Sequence, residues 1–149
     1  MVGFLAKTII GNYLSSDVFR ELLLMDYTEF LLGCPPEHAE PASGSIFRLV
    51  SPRLMKPNDF LSFKERNPGK NYGNKECQSR GISVFLTQED CDKAKAIVPA
   101  LRKKDIAVAD LQDPIGHLAA TPSHNTKNHH TWWIPGNSSR VIGLFEVVS

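Results

Sequence analysis

At 149 residues, with 42% hydrophobic and 22% charged residues, the chain is long enough to bury one core and too apolar to remain disordered. Its formal charge of +1 gives no general attraction to nucleic acid or anionic lipid, so any basic patch is local. Three cysteines, Cys34, Cys77 and Cys91, leave at least one unpaired and show no C-x-x-C spacing, which removes the usual zinc and thiol-redox signatures and fits a cytoplasmic, reducing setting.

The opening Met-Val-Gly-Phe-Leu-Ala-Lys lacks the basic start of a signal peptide, and Asp26 and Glu29 interrupt the richest apolar segment, so no membrane association is expected. Ser15 and Asp17 open a helix whose apolar residues fall near helical spacing from Val18 to Leu31, with Gly33 at its C-cap. Cys34-Pro-Pro then stops it. Residues 34–45, rich in Pro, Ser and Gly, have the composition of a linker, so residues 1–33 read as a helical arm that docks on its own core or on a partner.

From residue 46 to 149 the pattern is that of an α+β core domain. Ile46 to Val50 is a short strand, and 52–80 is a long loop with one short element near Asp59 to Phe63. Ile82 to Leu86 is a second strand. Thr87 caps a helix with Ala94, Ile97, Val98 and Leu101 on its apolar face and Arg102, Lys103 and Lys104 at its end, and Pro99 kinks or ends it early. Ile106 to Leu111 is a third strand. Asn128 to Ile134 and Val141 to Val148 form a C-terminal hairpin around Pro-Gly-Asn-Ser-Ser-Arg. The expected architecture is a single domain with a mixed or antiparallel sheet of four or five strands and two main helices.

The stretch Asn-His-His-Thr-Trp-Trp-Ile-Pro-Gly sits on that hairpin. Neighbouring strand residues face opposite ways, which separates His129 from His130 and argues against a shared metal. With Ile134 opposite Val141, His129 falls opposite Glu146. That carboxylate, amid Ile142, Leu144 and Val148, needs a partner, and His129 either satisfies a polar spot at the sheet end or forms a catalytic pair with it. Arg48 shares a strand face with Ile46 and Val50 and requires either a carboxylate partner, from Asp59, Asp110 or Glu146, or an edge position facing water.

The order of Phe47-Arg48 on an early strand, Ser62 in Phe-Leu-Ser or Ser83 in Ile-Ser-Val, and Glu146 in Leu-Phe-Glu-Val-Val resembles the Arg, Ser, Glu order of the ADP-ribosyltransferase folds. The resemblance spans residues 46–148. It implies NAD bound in a cleft between two sheets, with Arg48 on the phosphates, Ser62 or Ser83 shaping the pocket and Glu146 stabilising an oxocarbenium ion. The chain departs from the family in lacking a Ser-Thr-Ser triplet, in carrying Leu144 where the first acid of Glu-x-Glu usually stands, and in the short spacing from Arg48 to Ser62.

Between Arg53 and Arg80 lie seven basic and three acidic residues, with Phe60, Phe63 and Tyr72 interleaved, so this loop is a candidate for nucleic-acid binding as well as a plain solvated loop. Three functions therefore stand open. The first is a cytoplasmic partner-binding protein without a cofactor, self-associating through its N-terminal helix. The second is a small NAD-using transferase with Arg48, Ser62, His129 and Glu146 as catalytic residues and Arg48 and Ser83 on the cofactor. The third is a nucleic-acid binder. A cleft where Arg48, His129 and Glu146 converge favours the enzyme, and a flat apolar patch around residues 18–31 favours the partner.

Overall fold

The computed structural model describes residues 31–148. The expected helix before Gly33, with the arm it would form, lies almost wholly outside them. The chain folds into two antiparallel sheets with helices and 3-10 turns packed on them, the α+β class expected from the pattern. One sheet holds β1 (Glu40–Pro41), β5 (His117–Ala120), β6 (His130–Trp133) and β3 (Ile82–Val84), in that order. The other holds β2 (Gly44–Val50), β4 (Asp105–Leu111) and β7 (Phe145–Val147). Two main-chain hydrogen bonds of 2.8 Å between Phe47 and Phe85 tie the sheets together at one point.

Strand β2 alternates as expected, burying Ile46, Arg48 and Val50 on one face. It pairs along its whole length with β4, from Gly44 opposite Leu111 to Val50 opposite Asp105. Because β4 is central it is buried on both sides: Ala107, Ala109 and Leu111 join the main core with Ile46, Val50 and Trp132, while Ile106 joins Phe85, Cys91 and Ala94 under a helix. That helix, α3 (Gln88–Ile97), opens on Thr87, whose hydroxyl accepts from the Asp90 N–H at 3.0 Å. It stops before Pro99, which starts a 3-10 turn at residues 99–101. Ile97 is 54% exposed and so does not share the core face with Ala94.

The C-terminal hairpin does not form. The strand carrying the tryptophans pairs instead with β5 and β3, so that Trp132 lies opposite Leu118 and Ile82. Residues 138–144 wind into a 3-10 turn, and β7 joins the other sheet with Phe145 opposite Ala109. Buried Ser138 diverts the chain. Its Oγ lies 2.7 Å from the Phe60 carbonyl and against the Glu65 carboxylate, two acceptors for its one proton, and its N–H donates to Glu65 Oε2 at 3.0 Å. Val141 then reaches the core from a 3-10 turn as well as it would from a strand, and a short apolar run does not reveal which. The tryptophans pack as expected for core residues, with Trp132 Nε1 donating to Ile115 O at 2.7 Å and Trp133 Nε1 to Cys77 O at 2.8 Å. Gly116, at φ +68°, is required beneath them: a Cβ there would stand 2.1 Å from the Trp133 carbonyl oxygen.

Residues 34–45 are not a linker. Ala42 is fully buried, Glu40–Pro41 pairs with β5, and Cys34 is joined by a disulfide to Cys77, 43 residues away. Pro and Ser content signals irregular backbone, not detachment, and here each kink is pinned to the core. Residues 52–80 contain two short helices, α1 (Phe63–Arg66) and α2 (Glu76–Ser79), with 3-10 turns at 57–60 and 73–75. Among the described residues no helix is long and apolar enough to cross a membrane.

Candidate functional site

Where Phe47 and Phe85 bridge the sheets, a cavity of about 370 Å³ opens between β2, β3, the α1 segment, the turn after α3 and the β5–β6 loop. Its wall includes Leu61, Phe63, Ile82, Phe85, Val98 and Leu101 as apolar surface, the hydroxyls of Ser62, Ser83, Ser123 and Thr126, and the cations Arg48, Arg66 and Lys104. Among the described residues no carboxylate lines it. The volume falls within the range of small-ligand pockets, roughly 300–1,000 Å³.

Arg48 is the most constrained of these groups. It is 8% exposed, its Nε donates to the Asp59 carbonyl at 2.7 Å, and Nη1 donates to the Ser83 carbonyl at 2.5 Å. It forms no ion pair among the described residues, so neutral carbonyls hold a buried cation for which the sequence offered either an acid partner or an edge position facing water. Asp59 is close, but its carboxylate serves the backbone: Oδ1 accepts from Ser51 Oγ at 2.7 Å and Oδ2 from the Lys56 N–H at 2.8 Å. Burial raises the Asp59 carboxyl, yet the Lys56 and Ser51 hydrogen bonds bring it below its ordinary value. Burial first, then repulsion from Arg66, lowers Arg48 to about 10, with Asp59 partly opposing. Arg48 remains charged at neutral pH.

His129 stands across the cavity, just before β6. Its Nδ1 lies 3.0 Å from the Thr121 carbonyl and 2.9 Å from Thr121 Oγ1, and Nε2 lies 2.8 Å from Ser83 Oγ. A carbonyl only accepts, so the hydrogen-bond network places the ring proton on Nδ1 and leaves Nε2 to accept from the serine hydroxyl. The ring meets Phe85 edge-on at 5.8 Å. Burial, the largest influence, pushes its pKa below 6.5, and His130, Arg48 and Lys75 add in the same direction while the Thr121 carbonyl opposes.

Arg48, Ser62, Ser83 and His129 thus all reach one cavity, and Glu146 does not. Glu146 is exposed on β7, paired with Val108 in the other sheet, because the hairpin that would have set it opposite His129 is absent. Ser62 is spent as a cap: its Oγ accepts from the Glu65 N–H at 3.1 Å and its N–H donates to Glu65 Oε1 at 2.8 Å. Arg66, Lys104 and Thr121 were not singled out by the sequence. Arg66 was visible only as one charge of the basic loop and Lys104 only as a helix-end cation, and a threonine that orients a histidine eight residues away leaves no local pattern. His130 turns elsewhere, with Nδ1 2.9 Å from the Asn128 carbonyl. Among the described residues no group of three potential metal ligands gathers.

In the basic loop, part of the charge is engaged by Glu76 and the Tyr72 ring. Lys64 Nζ bonds Glu76 at 2.7 Å, Arg80 reaches the same carboxylate at 3.2 Å, and Lys64 and Lys70 lie over the Tyr72 ring at 5.8 and 5.0 Å.

The neutral His129 has a measurable consequence. As pH falls, the unfolded chain takes up the imidazole proton near 6.5, before the folded chain does. The stability from keeping the ring neutral is complete above 6.5 and is lost between there and the lower folded value. The denaturant midpoint therefore drops as the pH falls through 6.5, ahead of any loss from the low-pKa carboxyls Asp59 and Glu76. His129→Gln flattens that slope, and an unchanged slope would contradict the burial argument.

Comparison with protein-family models, with characterised proteins and with solved structures finds no match for this chain.

Proposed function

We propose that this chain binds a phosphate-bearing nucleotide, NAD foremost, in the inter-sheet cavity, with Arg48 on the diphosphate. One observation carries the reading: a buried arginine whose hydrogen bonds go to neutral carbonyls lines a cavity in which, among the described residues, no carboxylate stands and to which Arg66 and Lys104 add positive charge. A buried cation left uncompensated by the protein is costly, and an anionic ligand supplies the missing partner. The apolar wall of Phe63, Phe85, Leu61 and Val98 suits a ring system, and the position of the cavity between two sheets agrees with what the ADP-ribosyltransferase resemblance implies for NAD. The resemblance also implies a glutamate at the glycosidic carbon. Glu146 lies away from the cavity, so the reading is of a nucleotide pocket and does not extend to that family's transfer chemistry.

Cytoplasmic residence was expected from the odd cysteine count; the Cys34–Cys77 bond favours an oxidising compartment. Partner binding through residues 18–31 falls outside the described residues. The cavity is the observation that moves the reading from a partner protein toward a small ligand.

Calorimetric titration tests it with three compounds: NAD, ADP-ribose and nicotinamide riboside. NAD and ADP-ribose are expected to bind with dissociation constants below about 1 mM, and the riboside, which carries no phosphate, to give no heat. Absence of heat from all three at millimolar concentration would overturn the proposal.

A further inference from the structure

The geometry points to Ser83 as a catalytic nucleophile, with His129 its general base, for acyl transfer from an ester that carries a negative charge. The inference uses the same cavity but does not depend on NAD as its occupant. Three groups stand in line: Ser83 Oγ at 2.8 Å from His129 Nε2, and His129 Nδ1 at 3.0 Å from the Thr121 carbonyl. A nucleophile, a base within hydrogen-bond reach and a third group fixing the base are the parts an activated serine needs. The usual carboxylate behind the histidine is replaced here by a carbonyl, which fixes the tautomer without adding charge.

The setting supports the same role. Ser83 is the middle residue of β3, held opposite Thr131 of β6, so its Cα cannot drift from the histidine. Its side chain lines the cavity, whereas Ser62 is committed to its cap. Arg48 binds the main-chain carbonyl of Ser83 and lines the same cavity, which puts a guanidinium in the wall where an oxyanion or an anionic substrate would sit. With no acid in the wall among the described residues, neither the oxyanion nor an anionic substrate meets repulsion from them.

The step balances. Ser83 Oγ bonds to the acyl carbon as its proton passes to His129 Nε2, the carbon–oxygen bond to the alcohol breaks, and the alcohol oxygen takes that proton. Water then gives a proton to Nε2, attacks the acyl-serine and releases the acid as Ser83 Oγ recovers its proton. The net reaction is ester plus water to acid plus alcohol.

A fluorophosphonate reagent tests the nucleophile, forming a phosphorus–Oγ bond and releasing fluoride. Intact mass and peptide mapping of the full, disulfide-bonded chain are expected to show one adduct, on Ser83. His129→Gln should slow labelling by about 100-fold or more while the circular dichroism stays native. No adduct on Ser83, an adduct on another serine, or labelling unaffected by His129→Gln in a folded chain each overturns the inference. Ser83→Cys gives an independent reading: iodoacetamide should alkylate that thiol faster in the single variant than when it is combined with His129→Gln, and equal rates also overturn the inference. The substrate class is read by hydrolysis of mono-p-nitrophenyl succinate against p-nitrophenyl acetate. The anionic ester is expected to react about tenfold faster, and the reverse order rejects the class. NAD titration and labelling report on separate properties, so failure of one is distinguishable from failure of the other.

Discussion

Replacing Arg48 by methionine is expected to lower NAD affinity by about 100-fold or more while changing the folding stability by no more than about 2 kcal/mol. The loss of affinity follows from charge-assisted hydrogen bonds to phosphate, which contribute about 1.5–3 kcal/mol each, with no other buried arginine among the described residues of the cavity to replace them. The small change in stability follows from two opposing contributions. The depression of Arg48 from 12.5 to about 10 corresponds to about 3 kcal/mol against the charged form, which methionine relieves. Against that, the Asp59 and Ser83 carbonyls lose their donors, at about 1–3 kcal/mol each if water does not reach them. Methionine also keeps the length and apolar stem of arginine against Ile46 and Phe60, whose ring lies 5.9 Å from the guanidinium carbon. Calorimetry with NAD and guanidinium unfolding on the same variant separate the two effects. Affinity within threefold of the parent in a folded Arg48→Met chain would remove Arg48 from the site, whereas a collapse of stability would mean that the arginine is structural.

The same residue shows how far local pattern reaches. Alternation in Ile-Phe-Arg-Leu-Val placed Arg48 on the face of Ile46 and Val50, where it lies, because side-chain direction in a strand is set by neighbours alone. Thr87 with Asp90 and the stop at Pro99 were legible for the same reason, since caps and prolines act within one turn. Pairing is a property of distant residues and was not legible. The short β5 strand, His-Leu-Ala-Ala, has too little apolar bulk to announce itself, yet it takes the place beside Trp132 and Trp133 that Val141 to Val148 was expected to fill. With that partner exchanged, Glu146 moved to the other sheet and His129 found Ser83. The site was therefore half visible: residue types suited to chemistry could be named one at a time, but their meeting depended on a register that only tertiary contacts such as Ser138 with Glu65 decide.

Reduction of the Cys34–Cys77 bond is expected to cost about 4 kcal/mol of stability, or roughly a thousandfold in the folding equilibrium, because the bond closes a loop with a sequence separation of 43. The loop contains β1, β2 and α1, the last two of which frame part of the cavity, so opening it enlarges the unfolded ensemble by more than a short staple would. The native contacts around the bond do not vanish with it. Cys34 packs with Ala119 and Trp133, and Trp133 donates to the Cys77 carbonyl, so Cys34→Ser leaves a polar group in that cluster and Cys34→Ala is the cleaner replacement. Cys91 offers no alternative partner, since it is fully buried on the inner face of α3 and burial raises its thiol to about 12. Thiol counting provides the chemical control: the chain contains three cysteines, so the unfolded, oxidised protein shows one free thiol and the reduced protein three. Guanidinium unfolding with and without dithiothreitol, and of Cys34→Ala, should then show the same lowered midpoint for the reduced and substituted chains. Three free thiols in protein purified without reductant, or midpoints that do not move, would mean that residues 34–45 are held by packing alone.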